Sequence, residues 1–578
     1  MNTLEKIKSN IAKEINKALG KNLVQASDLI YPPNAKLGNL SLPCFEIVKK
    51  LKKNPKEIAK ELEKELNLEL SSGYPELSSA KAIGPYLNFT INKEYLTKEV
   101  LSEIDKQKNK YGQNKNLKEK IVMVEYAHPN PFKAFHIGHL RGTILGETIC
   151  KLLEAQGAKI SRVNYQGDVG MHIAKCLWAF QKIDPKNYPK ESADKVALIG
   201  KCYSQGAAAF EKDEKAKKEI AEINKLIYSQ KDKEINKLWK LGKKWSLENF
   251  QEIFKRLGAR FEYEYMESEV MDAGVKYTKK ALTKKILEKS QGAIIFNGKK
   301  YGLDTRVFLN SEGLPTYEGK ELGLAYREAG DFGRIDLFIH NVAVEQISFF
   351  KVIFKVLELL DPEKFKNKKY HNAYEFVGLK KGKMSSRKGE VVLGSDILDE
   401  ARQRIAKIIK EKGFTENVKN LDEKIGVGAI KYSFLKISPF KYLAFDMEES
   451  INFSGDSGPY LQYTYARIQS ILRKSGIKDT KCPIGHLVSL VSEKEHNLIM
   501  RLAKYPETVE KAGQNYDPSE VAKYLFDLAK EFNDYYHHVP ILKAEEKIRE
   551  ARLTLINSVA QILKNGLELL GIETVEKM

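Results

Sequence analysis

Ile121 to Tyr126 reads IVMVEY, a short run of apolar and β-branched residues without alternation, bounded by charge on one side and by Pro129 on the other. Such a run suits a parallel strand buried on both faces. From Leu140 to Ala155 apolar residues recur at spacings of three and four, Gly157 ends the pattern, and ISRVNY at Ile160 to Tyr165 reads as a second strand. A strand, a helix and a strand in this order form a crossover that places helices on the faces of a parallel sheet. Part of the chain is therefore an α/β layer structure.

Two more apolar runs lie far downstream, IDLFIH at Ile335 to His340 and AYEFVG at Ala373 to Gly378, with a helix expected at Ser348 to Leu360 between them. A doubly wound, Rossmann-like domain over residues 118–395, interrupted by an insertion, accounts for the gap. The insertion, about 182–257, is highly charged, helical by pattern, and anchored by Trp239 and Trp245. Residues 1–110 read as a small α+β unit: an amphipathic helix, a turn-rich segment at Tyr31 to Ser41, a helix near Pro55 to Leu66 and a strand at Tyr86 to Ile91. The polar run Lys106 to Lys120 reads as a linker. Beyond 396 nearly everything is helix-patterned, giving a helical connecting region over 396–456 and an all-α bundle over 457–578.

With 578 residues, 42% hydrophobic and 30% charged, the chain is long enough for two to four domains with sizeable cores. The net charge of +20 favours a polyanionic partner, and +12 of it falls in residues 121–460. The five cysteines are scattered, with no CxxC pair and no zinc-like spacing, so no structural zinc is expected and reduced thiols are. The N-terminus lacks the unbroken apolar core of a signal peptide, and no run of about 18 apolar residues occurs. A cytoplasmic protein without a membrane partner is the expectation.

Gly426-Val427-Gly428 lacks the third glycine of a dinucleotide loop, and Gly378 to Met384 misses the P-loop spacing. What remains is His136-Ile137-Gly138-His139, placed after the first strand and at the opening of the next helix. A helix N-terminus offers free N–H groups and partial positive charge, Gly138 admits a nucleotide close to the backbone, and imidazoles hydrogen-bond to phosphate oxygens. The alternative is that both histidines merely cap the helix. The second constellation is Lys383-Met384-Ser385-Ser386-Arg387-Lys388-Gly389, whose cations and hydroxyls suit the charge of a leaving pyrophosphate.

Together these blocks resemble the HIGH and KMSKS signatures of class I aminoacyl-tRNA synthetases, and their surroundings resemble the arginyl-tRNA synthetase family over nearly the whole chain. Glu125 to Asn130, Asn164 to Gly170 with Val169 in place of the usual Trp, Leu238 to Gly258, Met266 to Val270, Ser457 to Lys474 and the terminal ARLTLINSVAQILKNGLELLGIE carry the likeness. GNLS at Gly38 to Ser41 and GPYLNF at Gly84 to Phe89 are similar to that family's N-terminal tRNA-contacting domain.

The resemblance implies ATP-dependent activation of arginine and its transfer to the 3′ end of tRNA(Arg), Mg2+ arriving with ATP, and activation that waits for bound tRNA. His136, His139, Lys383 and Lys388 are the implied catalytic residues; His136, Gly138, His139, Lys383, Met384, Ser385 and Ser386 would bind ATP. Glu125, Asn130, Tyr317, Glu321 and Gln346 match positions that bind arginine. Glu321 stands where Asp is usual, Lys320 where Arg is and Gly319 where Thr is, which displaces the carboxylate by about one methylene. A guanidinium suits such a set, because its five donors lie in a fixed plane and it stays charged. A cysteinyl enzyme of the same class would need a thiolate-bound zinc, for which the cysteines are too dispersed. The C-terminal helices, with 17 basic and 16 acidic side chains after residue 460, would read an anticodon loop by stacking rather than bulk charge, with Tyr465 or Tyr536 as the favoured platforms. The chain is expected to act as a monomer.

Overall fold

A computed structural model describes residues 1–70, 74–380, 392–411, 413, 420–476 and 483–578. The central sheet has five strands: β1 (Ile121–Glu125), β2 (Lys159–Gln166), β3 (Tyr263–Met266), β4 (Leu337–Ala343) and β5 (Lys369–Tyr374). Their spatial order is β5-β4-β1-β2-β3 and every pairing is parallel. The winding direction reverses between β1 and β4, and in sheets of this kind the ligand crevice opens beyond the carboxyl ends of the strands at such a reversal.

The structure differs from the sequence reading in several places. β5 lies upstream of the expected run, because Lys369–Tyr374 pairs with β4 while Val377–Leu379 leaves the sheet and pairs in parallel with Leu443–Phe445. The supposedly all-helical connecting region thus contributes a strand. β3 is short and Tyr-rich, and a three-stranded antiparallel sheet, Glu288–Ser290, Ala293–Phe296 and Arg306–Leu309, follows it. Neither was foreseen, since runs of three or four residues carry too little periodicity to register.

Helix α1 (Ile137–Ala155) crosses from β1 to β2 and is buried nearly all round. Gly146 is required there: a Cβ would lie 2.3 Å from the side chain of Tyr126. Arg162 of β2, buried, gives Nε to Glu147 at 3.0 Å and Nη1 to Glu154 at 2.8 Å, both on α1. These bonds satisfy a cation that would otherwise be stranded under the helix.

The insertion folds as three helices, Ser192–Lys212, Glu214–Ser229 and Lys233–Leu257, around a core of its own with Trp239 and Trp245. Helix α2 (Glu267–Thr283) and helix α3 (Tyr317–Asp331) then pack closely, because Gly274 and Gly319 face one another; a Cβ on Gly274 would come within 2.4 Å of the Gly319 carbonyl oxygen.

In the N-terminal unit, strands Leu40–Pro43 and Leu77–Ile83 flank Tyr86–Ile91 in an antiparallel sheet against helices Thr3–Leu19 and Pro55–Leu70. The polar run read as a linker is tied down by one aromatic residue. Tyr111 is 2% exposed, stacks on Tyr505 with ring centroids 6.3 Å apart, and donates to the Leu502 carbonyl. The C-terminal bundle is built on α4 (Gly458–Lys474), α5 (Ser519–His538) and α6 (Glu546–Leu569). Its neighbouring helix Tyr505–Gln514 packs directly on α1.

Candidate active site

At the carboxyl ends of β1 and β4 lies a cavity of about 700 Å³. Of the residues singled out from sequence, Glu125, Asn130, His136, Gly138, His139, Tyr317, Glu321 and Gln346 all line it, although they come from four separate elements. Lys383, Met384, Ser385, Ser386 and Lys388 lie outside the described residues. The segments that flank them are fixed to the same cavity: Gly378, Leu379 and Val392 line it, Ile137 N–H donates to the Val392 carbonyl at 3.0 Å, and Gly394 N–H donates to the Phe135 carbonyl at 2.8 Å.

The histidines do cap α1, which is the plainer of the two readings. Nδ1 of His136 accepts from the Gly138 N–H at 3.1 Å, Nδ1 of His139 accepts from the His136 N–H at 3.2 Å, and the rings stack with centroids 3.8 Å apart. Burial holds both imidazoles below their ordinary pKa, His139 strongly, so they are neutral. A neutral imidazole whose Nδ1 accepts must carry its proton on Nε2, so this network assigns each ring a free N–H donor. Capping thus occupies one end of each side chain and leaves the other end free to donate. Lys133, half-buried on the same wall, adds a cation whose own pKa burial lowers.

The loop from β1 to α1 is strained. Ala127, His128 and Phe132 have φ of 81°, 54° and 66°, a region that residues with a Cβ seldom occupy. Neighbours hold it: Asn164 Oδ1 accepts from the His128 N–H at 3.1 Å, Ser246 Oγ from the Phe132 N–H at 3.0 Å, and Asn130 Oδ1 from the Gly167 N–H at 2.7 Å. Asn130 therefore spends an acceptor on orienting the loop after β2. Asp168 in that loop is fully buried and pinned by Lys243 Nζ at 2.6 Å and Ser268 Oγ at 2.7 Å.

The other wall is acidic. Glu125 ends β1 and Glu321 lies on α3, both 3% exposed, while the Tyr317 ring stands half-exposed at the rim. Glu267 is held by Lys320 Nζ at 2.5 Å, so the Lys replacement on α3 has a buried partner of its own. Gly319 is explained by space: a Cβ there would lie 2.3 Å from the Phe308 carbonyl oxygen.

Three domain models match successive parts of this chain. Residues 100–447 match the model of the class I tRNA synthetase (R) catalytic domain, residues 5–91 the arginyl tRNA synthetase N-terminal domain, and residues 461–578 the DALR anticodon binding domain. The arginine–tRNA ligase of Treponema denticola is 34% identical over 562 residues, 95% of this chain and 94% of that one. That of Halothermothrix orenii is 34% identical over 585 residues, 99% of each. The chain belongs to the arginyl-tRNA synthetase family. The solved arginyl-tRNA synthetase of Thermus thermophilus superposes with a TM-score of 0.81 at 27% identity, covering 100% of both chains. The enzyme is an arginine–tRNA ligase: it uses ATP to activate arginine and charges tRNA with it.

Sequence reasoning missed four residues that shape this site. His340 of β4 and Lys369 of β5 are buried beneath the acidic wall. Glu328, fully buried, lies two turns after Glu321 on α3. Arg141, 2% exposed on α1, donates Nη1 to the Phe376 carbonyl at 3.0 Å and Nη2 to the Lys441 carbonyl at 2.9 Å, fastening the loop after β5 to the connecting region. Only Arg141, a cation in an otherwise apolar helix, offered a signal in the sequence.

In the C-terminal bundle, Tyr465 is 6% exposed and packed in the core, so no base can stack on it without opening the bundle. Tyr465 thus faces the core rather than the groove. Tyr536, 39% exposed, and Tyr463 line a groove of about 900 Å³ together with Arg467, Arg473, Lys474 and Lys543. The Arg467 guanidinium lies 4.8 Å from the Tyr463 ring centroid and 5.7 Å from that of Tyr536. Among the described residues no helix is long and apolar enough to cross a membrane.

Proposed function

We propose that the one cavity divides its work between its walls: the α1 end holds ATP and the acidic wall holds the guanidinium of arginine. The observation that carries this is the convergence of His136, Gly138 and His139 with Glu125, Tyr317, Glu321 and Gln346 around a single space at the topological switch point. The arginine carboxylate attacks the α-phosphate of ATP, pyrophosphate departs, and the ribose hydroxyl at the tRNA 3′ end then displaces AMP. No covalent enzyme intermediate is required. Nε2–H of His136 and His139 donates to phosphate oxygens as charge builds in the transition state, and Lys383 with Lys388 neutralises the pyrophosphate. Mg2+ enters as part of the ATP substrate.

Glu125 and Glu321 match the plane of guanidinium donors, and Gln346 with Tyr317 closes the rim. For the tRNA, we assign anticodon stacking to Tyr463 and Tyr536 in the basic groove, in place of Tyr465. A monomeric, cytoplasmic enzyme completes the reading. An aminoacylation panel over the twenty amino acids tests it, with arginine as the only amino acid charged. Pyrophosphate exchange should be weak until tRNA is added; strong exchange without tRNA would count against tRNA-dependent activation.

A further inference from the structure

Behind the acidic wall the charges do not balance. Glu125 on β1 and Glu321 and Glu328 on α3 are all buried, and the cation that faces Glu321 and Glu328 is Lys369 of β5, whose Nζ lies 3.5 Å from Glu328 Oε2. The Glu267–Lys320 pair across α2 and α3 is neutral as a unit. His340 of β4 adds no charge. Lys369 Nζ sits 3.3 Å from its Nε2 and can only donate, so its ring proton lies on Nδ1, 3.0 Å from Glu125 Oε2, and burial beside Lys369 holds the ring neutral. His128, also neutral through burial, faces Glu125 Oε1 at 3.6 Å, and the phenols of Tyr165 and Tyr317 border Glu321. Among the described residues these three carboxylates thus share one lysine, in the buried wall of the cavity.

Two of these carboxylates touch. Glu328 is within hydrogen-bonding reach of Glu125, and Glu328 Oε1 is a buried oxygen without a donor, whereas Glu125 Oε2 faces His340 Nδ1. Two ionised carboxylates only accept, so neither can satisfy the other, whereas a proton on Glu328 turns it into a donor toward Glu125.

We propose that the arginine-free pocket holds one proton on Glu321 or Glu328 of its acidic wall, and that the guanidinium of arginine expels it. The proposal rests on the assignment of this wall to arginine. The guanidinium supplies the missing cation, so the cluster ionises fully and the proton leaves to solvent; the charge inside changes little on binding. Burial and the neighbouring carboxylates hold both Glu321 and Glu328 above the ordinary carboxyl value of 4.5, the direction this requires. The proton belongs to the cluster rather than to one residue. The consequence is a sign: arginine binds the deprotonated form, so affinity falls as pH drops from neutrality toward 4.5, by up to about tenfold per unit. Lys369 and His340 act as positioning residues that keep the cluster from taking a second proton.

The test is calorimetric titration of arginine into the full-length enzyme saturated with tRNA(Arg), at pH 7, in phosphate and in Tris, whose ionisation enthalpies differ. Release of about half to one proton per arginine is expected, with a dissociation constant that weakens about tenfold between pH 8 and pH 6. Identical heats in the two buffers, or proton uptake, would overturn the proposal. Glu328→Gln places an amide donor where the proton sat, and should abolish the release and flatten the pH dependence; undiminished release in that variant would remove the proton from this cluster. A separate outcome addresses the underlying assignment: if Glu321→Gln binds arginine at pH 8 as tightly as the wild type does, arginine lies elsewhere and the pocket reading itself fails.

Discussion

The cleft at the carboxyl ends of β1 and β4, to which we assign the nucleotide, and the groove on the C-terminal bundle, to which we assign RNA, are built in opposite ways. In the cleft the polar groups are buried, mutually hydrogen-bonded and set on a strained loop, down to the two histidines whose Nδ1 atoms are spent on the backbone. In the groove Tyr463, Tyr536 and Arg467 are partly exposed side chains of otherwise ordinary helices. Stabilising a transition state requires groups fixed before the reaction, in a site where water does not dilute their fields. Reading a single-stranded loop requires aromatic faces and cations that an incoming base can reach. Deletion of the bundle would not separate the two, because Tyr111 and Gln156 of the catalytic side pack into it; point variants do.

The largest effect should come from His136→Asn. Asn is a good N-cap and keeps α1 intact, but it lacks the Nε2–H donor, so aminoacylation should slow by about 100-fold while the melting temperature and the tRNA KM hold. A wild-type rate would reduce the histidine to its cap. Tyr463→Ala with Tyr536→Ala breaks the comparison from the other side: at about 1–3 kcal/mol per stacked base, the tRNA KM should rise at least tenfold, with kcat and the arginine KM steady. An altered arginine KM would mean the groove feeds the cleft.

These two regions also differ in how far the sequence reveals them. The cleft was legible because its chemistry clusters in the chain: four of its residues fall in one motif, and Glu125 and Asn130 precede it on the same strand and loop. What escaped notice were the partners that topology brings in from β4, β5 and the far end of α3, namely His340, Lys369 and Glu328, which share no spacing with the motif. In the bundle the helix pattern was clear, but the tyrosines of YLQYTYAR differ only in which side of α4 they face. Tyr465 falls on the core side and Tyr463 does not, a distinction that needs the neighbouring helices.

Salt sharpens the contrast. Raising ionic strength from 50 to 200 mM should increase the tRNA KM by about tenfold or more through counterion release, and should change the arginine KM by less than twofold, since the acidic wall is buried. A parallel rise in both would show that the cleft is open to ions. The smallest effect on activity belongs to Tyr465→Ala. It should leave residual tRNA binding per folded molecule unchanged but destabilise the bundle by about 3 kcal/mol through the cavity it creates, read as a lower melting temperature that Tyr465→Phe largely restores. Loss of tRNA affinity without loss of stability would return Tyr465 to the interface.

The account turns on buried carboxylates recognising a cation, and citrulline tests that most directly, because it keeps the shape of arginine and replaces the guanidinium with a neutral ureido group. With tRNA(Arg) and ATP saturating, the ratio of kcat/KM for arginine to that for citrulline should reach about 10,000, the discrimination available when a mismatch leaves buried polar groups unpaired. A ratio below about ten would contradict the account.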